Sequence, residues 1–148
     1  MASKQPKRKQ RDGVDGLGRT PLHYACVDGN SEDVAQFLAT GLDANAQDDN
    51  GWSPLHFAAQ ASSVECVTLL IRAGANVSLK DSFGNTALFR AVFSSTGDGA
   101  TIGILRKAGA DPHAKNEHGV SPVILARTIG NYDVAQFFAD LPPVDDVA

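Results

Sequence analysis

The chain has 148 residues, 43% of them hydrophobic and 20% charged, a composition that suits one packed domain. No run of about 18 apolar residues occurs, which excludes a transmembrane helix. The net charge of −4 is unevenly distributed, because five of the 13 basic residues lie within the first 11 residues. The other eight face 17 acidic residues, so a short cationic arm precedes an acidic body with a charge of about −9.

Residues 1–14 are predicted to form a disordered basic arm, because they are rich in charge and poor in apolar side chains. The basic run between Pro6 and Arg11 is interpreted as a solvated tail, with a nuclear-localisation or nucleic-acid-binding tract as the alternative. The arm has no apolar stretch typical of a secretory signal. The expected location is therefore the cytoplasm, or the nucleus if the source is eukaryotic.

Four segments of the body repeat one pattern: an acidic or amide residue, a glycine, a hydroxyl residue and a short apolar run. Their glycines, spaced 33, 33 and 35 residues apart, are Gly18, Gly51, Gly84 and Gly119. Self-similarity near this period indicates a protein built from stacked structural repeats. The predicted repeats are 15–47, 48–80, 81–115 and 116–140.

Each repeat reads as a tight turn followed by two short helices. The first helix begins at a Thr-Pro or Ser-Pro pair in repeats one, two and four, with the hydroxyl residue as the N-cap. The third repeat has Ala87 in place of the proline and about two extra residues in the loop 94–99, which we expect to be mobile. The C-terminal tail, 141–148, is acidic. Its first residues, Leu141 to Val144, are predicted to fold over the last apolar face.

The repeated pattern D-x-x-G-x-T/S-P-L-H-x-A, followed by a leucine-rich helix and a glycine, resembles the ankyrin repeat. The stretch from Asp48 to Ala59 matches nearly every position of this pattern, and the third repeat matches it most loosely. The resemblance implies an all-α solenoid of stacked helix–turn–helix units with β-hairpin turns projecting between them. It also implies that His23 and His56 make local hydrogen bonds that tether neighbouring turns.

No recognisable catalytic or nucleotide-binding motif occurs, and the recurring aspartates are explained as turn residues. Cys26 and Cys66 lie in apolar helical patterns and are predicted to be reduced, buried thiols. We therefore predict a protein that is not an enzyme and that needs no cofactor or metal.

Function is then expected to reside in surface recognition. In the family that the chain resembles, partners bind the turn tips and the first helices, which line the concave face. Aromatic residues and arginine, which are enriched in binding hot spots, occupy many of these positions here. Tyr24, Phe57 and Arg90 hold equivalent positions in three successive repeats and are expected to align. The predicted partner-binding residues are Tyr24, Asp49, Asn50, Trp52, Phe57, Phe83, Arg90 and Phe93.

The sequence thus predicts a protein-binding module that is a monomer alone and a heteromer with its partner. The acidic body favours a partner with a basic surface. A narrower hypothesis, from the size of the chain and its resemblance to small bacterial ankyrin proteins, is an immunity or inhibitor protein that neutralises a toxin. The alternatives are a regulatory adaptor and a nucleic-acid-associated protein that acts through the basic arm.

Overall fold

A computed structural model describes residues 13–143. The basic arm between Lys4 and Arg11 and the tail residues 144–148 lie outside the described residues, so the predictions made for them remain predictions. Within the described part of the chain, the structure is helical and contains no β-strand. Its elements are α1 (Pro21–Val27), α2 (Ser31–Ala39), α3 (Pro54–Gln60), α4 (Val64–Arg72), α5 (Ala87–Ser94), α6 (Ala100–Lys107), α7 (Pro122–Thr128) and a 3₁₀ turn (Ala135–Phe138).

The first helices begin where the sequence predicts. In α1, α3 and α7 a proline occupies the first helical position, where its missing N–H costs nothing. Ser53 Oγ accepts from the backbone N–H of His56, and Ser121 Oγ accepts from that of Ile124. Thr86 caps α5 in the same way although no proline follows it. The hydroxyl cap is therefore enough to start the helix.

The helices form two layers. The first helices of successive repeats, α1, α3, α5 and α7, pack side by side, and the second helices, α2, α4 and α6, do the same behind them. One leucine or valine of each first helix is almost completely buried between the layers: Leu22, Leu55, Leu88 and Val123. This arrangement confirms the predicted solenoid of helix–turn–helix units, because each pair buries its apolar side against its neighbours.

Successive turns approach each other closely. The backbone N–H of Asp49 donates to the Leu17 carbonyl, and that of Ser82 donates to the Asn50 carbonyl, both at 2.9 Å. Gly51 has a φ of +78°, and a Cβ at this position would lie 2.9 Å from the Asp81 Cα. One backbone–backbone hydrogen bond between turns at each step stands in place of a strand ladder. The turns therefore project as a row of linked tips without strands.

The C-terminal end departs from the repeat. After α7, the second helix of the fourth repeat is reduced to a single 3₁₀ turn, which buries Phe138 completely. Arg106 donates to the Phe137 carbonyl at 2.9 Å, and Arg127 donates to the Leu141 carbonyl at 3.3 Å. Leu141 packs against the core. We call this assembly, Arg106, Arg127 and the residues from Phe137 to Pro142, the C-terminal clamp.

Candidate functional site

The turns are held by an acidic or amide side chain that folds back on its own backbone. Oδ1 of Asp48 accepts from the backbone N–H groups of Asn50 at 2.9 Å and Trp52 at 2.8 Å. Asp15, Asp81 and Asn116 make the same pair of bonds in the other three repeats. The recurring carboxylates are therefore turn residues, as the sequence indicates.

The second carboxylate oxygen has a different partner in each turn. Asp48 Oδ2 accepts from Arg19 Nε of the preceding repeat, and Asp81 Oδ2 accepts from Arg90 Nη2 of its own repeat, both at 3.1 Å. The two aspartate side chains are 1% and 0% exposed, so both ion pairs are largely shielded from water. In the first turn the Tyr24 hydroxyl donates to Asp15 Oδ2, which lowers the pKa of the Asp15 carboxyl.

The two predicted tether histidines link neighbouring turns. His23 accepts at Nδ1 from the Thr20 backbone N–H, and its Nε2 donates to the Trp52 carbonyl at 3.1 Å. His56 makes the corresponding bond to the Asn85 carbonyl at 2.8 Å. Burial lowers the pKa of both imidazoles because the charged form loses its hydration. Both histidines are thus engaged in holding the turns together.

A row of aromatic and cationic side chains crosses the first three repeats. The Arg19 guanidinium lies 5.8 Å from the Tyr24 ring centroid and 4.9 Å from that of Phe57. The ring centroids of Phe57 and Trp52 are 4.7 Å apart. On the other side of Trp52, the Arg90 guanidinium lies 4.4 Å from its centroid. These distances suit cation–π and aromatic contacts.

Arg90 also lies 6.0 Å from the Phe93 ring centroid, which extends the row by one member. We call the whole row, in spatial order Tyr24, Arg19, Phe57, Trp52, Arg90 and Phe93, the cation–aromatic strip. From Tyr24 to Arg90 the members come alternately from first helices and turns, so each contact in that part links two elements. The last contact, between Arg90 and Phe93, lies within α5. The strip ends in the third repeat, where Asn85 occupies the turn position of Trp52 and accepts instead from Asn116 Nδ2 at 2.9 Å.

The structure divides the predicted partner-binding residues into two groups. Tyr24, Phe83 and Phe93 are exposed, with relative accessibilities of 40%, 56% and 61%, and Asp49 and Asn50 are exposed at the tip of the second turn. In contrast, Trp52, Phe57 and Arg90 are only partly exposed, because they pack within the strip. The alignment of Tyr24, Phe57 and Arg90 expected from their repeat positions is present, but other side chains lie between them.

Arg19 is the member of the strip that was not among the predicted binding residues. It follows Gly18 as Trp52 follows Gly51, so the repeat register already placed it beside the aromatic positions. Its contact with Phe57 depends on how one repeat stacks on the next. The charge of Arg19 is balanced by Asp48, as that of Arg90 is by Asp81. Asp28 and Glu117 are exposed.

Within 13–143 no three His, Cys, Asp or Glu side chains are grouped so that they could hold a metal ion. Cys26 and Cys66 are free and buried, and burial raises the pKa of the Cys26 thiol to about 12. No helix in the same range is both long and apolar enough to cross a bilayer.

Comparison with known proteins identifies the repeat. The family model described as ankyrin repeats, in three copies, matches residues 29–116. This range includes α2 to α6, with the second and third turns and the central part of the strip. No curated protein matches the chain at a significant level.

Proposed function

Because the chain belongs to the ankyrin-repeat family, we propose that it binds a protein partner, without catalysis, through the surface of its turns and first helices. Ankyrin repeats are generally protein–protein interaction modules, and the family is typically non-enzymatic. The observation that carries the proposal is the exposure of Tyr24 and Phe93, the two ends of the cation–aromatic strip, and of Phe83 in the third turn. Exposed apolar side chains gathered on one surface usually mark an interface.

The strip supports this surface in a second way. Trp52, Phe57 and Arg90 hold one another in place, so they lose little freedom when a partner arrives. Side chains that are ordered before binding lower the entropic cost of association. In this proposal the exposed rings contact the partner, and the packed members of the strip form the rigid floor beneath it.

The charges of this surface favour a basic partner. Arg19 and Arg90 are each paired with a buried aspartate, whereas Asp28 and Glu117 add negative charge at the surface. Complementary charge accelerates the encounter and disfavours acidic competitors. A toxin with a cationic surface would be one such partner, and inhibition of its activity by stoichiometric amounts of this chain would be the corresponding test.

The proposal is tested by affinity capture from the native source with wild type, Phe93→Ala and Phe83→Ala as baits. Tyr132→Ala is the matched control, because Tyr132 is 46% exposed but lies beyond α7. We expect the two phenylalanine variants to lose a partner that wild type and Tyr132→Ala retain. Equal capture by all four baits would contradict the proposed surface.

An Arg90→Glu bait would be a poor test, since a second carboxylate would then face the buried Asp81. Removal of residues 1–12 tests the alternative that the basic arm binds nucleic acid. Binding through that arm would be lost on truncation and would weaken steeply with added salt. Binding through the turns and first helices would survive the truncation.

A further inference from the structure

The layer of second helices contains a surface groove that lies away from the turns and first helices. It has a volume of about 440 Å³ and runs between α2 and α4. Ala35, Val64 and Leu69 form its apolar part, and Leu69 also packs against the core. Glu32, Glu65 and Arg72 line it as well and are exposed.

The charges along this groove are separated. Glu32 lies in the first turn of α2 and Glu65 in the first turn of α4, whereas Arg72 lies in the last turn of α4. Since α2 and α4 are the same element of successive repeats, they run in the same direction, and one end of the groove is acidic while the other is basic. Among residues 13–143, none of these three side chains forms a salt bridge.

We propose that this groove is the contact surface of a homodimer in which two copies pack with α2 and α4 antiparallel to those of the other copy. Glu65 and Arg72 are seven residues apart, or roughly 10 Å along the helix. A two-fold axis through the middle of the groove places each acidic end against the basic end of the second copy and brings the apolar parts together. Such an interface is closed and self-complementary.

The antiparallel arrangement is favoured by charge and by the helix dipoles. A parallel arrangement would bring the acidic ends of the two copies together, and likewise their basic ends, which carry Arg72. In the antiparallel arrangement the dipoles of facing helices oppose each other, which is also favourable. The corresponding groove between α4 and α6 has a weaker acidic end, because Ala100 holds the repeat position of Glu65, while Lys107 keeps the positive charge found at Arg72.

The dimer is weak, because far fewer residues line the groove than the roughly 20–30 that each partner contributes to a standard interface. We expect a dissociation constant of the order of 100 µM. This inference replaces the monomer expected from the sequence and does not depend on the proposed partner surface, which the dimer leaves open.

The test is sedimentation equilibrium of the full chain at concentrations up to about 1 mM. Wild type should dimerise, and Glu65→Arg and Arg72→Glu should each weaken association by about tenfold or more, since each creates two like-charge contacts. The double variant Glu65→Arg/Arg72→Glu should dimerise again. An equimolar mixture of the two single variants should form a heterodimer, because both contacts then join opposite charges.

Lys107→Glu is the control, since it makes the same charge change at the equivalent position of the next repeat, outside the groove. It should leave the dissociation constant within about twofold of wild type. The proposal is overturned if wild type remains monomeric at the highest concentration or if the double variant fails to restore association. Loss of association on removal of residues 1–12 would also overturn it, because the arm would then be the occupant of the acidic end.

Discussion

In the cation–aromatic strip, Arg90 lies on the Trp52 ring and pairs with Asp81, whose side chain is fully buried. In the C-terminal clamp, Arg106 lies 5.2 Å from the Phe138 ring centroid and forms a two-point contact with Asp140, whose side chain is 62% exposed. The same side-chain type thus joins an aromatic ring to a carboxylate in both places. The two sites differ in the exposure of the carboxylate to water, which is buried in Asp81 and exposed in Asp140.

Arginine therefore has two different structural roles in this solenoid. In the strip, the guanidinium neutralises a carboxylate that the turn needs for its own hydrogen bonds, so the ion pair and the turn depend on each other. In the clamp, Arg106 and Arg127 instead donate to the carbonyl groups of the short segment that packs beside the 3₁₀ turn. The first arrangement is expected to be costly to disrupt, and the second easier to rearrange.

Replacing Arg90 with Met should have the largest effect and lower the free energy of unfolding by about 3 kcal/mol, because it leaves the buried Asp81 without its counter-ion. The loss is partly offset because Arg90 Nε is itself buried without an acceptor. Urea denaturation measures the change. The matched variant Arg106→Met should cost clearly less, since Asp140 remains hydrated. Equal losses would contradict the distinction between strip and clamp.

Two glycine variants compare the backbone of the turns with the region near the clamp. Gly51→Ala should destabilise by about 2 kcal/mol, because it forces a residue with a Cβ into the left-handed region and against the backbone of Asp81. Gly99→Ala, near the clamp, should cost less. The obstacle there is the Phe137 side chain, which is only partly buried and can rotate.

Gly74→Ala completes this experiment, because Gly74 has a φ of +88° and nothing within 4 Å of an added Cβ. The loss of stability in Gly51→Ala beyond that in Gly74→Ala therefore measures the effect of the close approach of two turns, separately from the left-handed strain. If the two variants cost the same, the turns are less tightly stacked than the interturn hydrogen bonds indicate. Thermal unfolding monitored by circular dichroism is sufficient for the measurement.

The local structure was predictable from the sequence because it is encoded within a few residues. A hydroxyl cap followed by proline starts α1, α3 and α7, and an Asp or Asn three residues before each glycine closes the turn. The contact of Arg19 with Phe57 was not predictable in this way. It joins residues 38 positions apart and depends on the rotation between repeats, which no local pattern specifies.

The C-terminal end shows a different limit of the sequence. The apolar residues Val134, Phe137 and Phe138 have the spacing of a second helix, but only a 3₁₀ turn forms there. Helix formation needs several residues to follow the first turn, and the prolines at 142 and 143 leave little room for them. Spacing alone therefore indicated the burial of Val134 and Phe138 but overestimated the length of the element.

The smallest expected effect is a pH dependence that distinguishes the first two repeats from the last two. Burial lowers the pKa of His23 and His56 below the ordinary value of 6.5, whereas Phe89 and Ile124 occupy the same repeat position in repeats three and four. Well above pH 6.5 these two imidazoles are almost entirely neutral in both the folded and the unfolded chain. Below it the unfolded chain takes up protons that the folded chain resists, so stability falls with pH.

Wild type should therefore lose melting temperature as the pH falls from about 7.5 to about 5, above the range in which most carboxylates titrate. His56→Phe, which copies the third repeat, should be less stable at neutral pH but should show a shallower slope. His118→Gln removes an exposed histidine at a turn tip and is the matched control for a change in histidine number. If both variants kept the wild-type slope, the buried tether would not be the source of the acid sensitivity, and the turns of all four repeats would respond to pH alike.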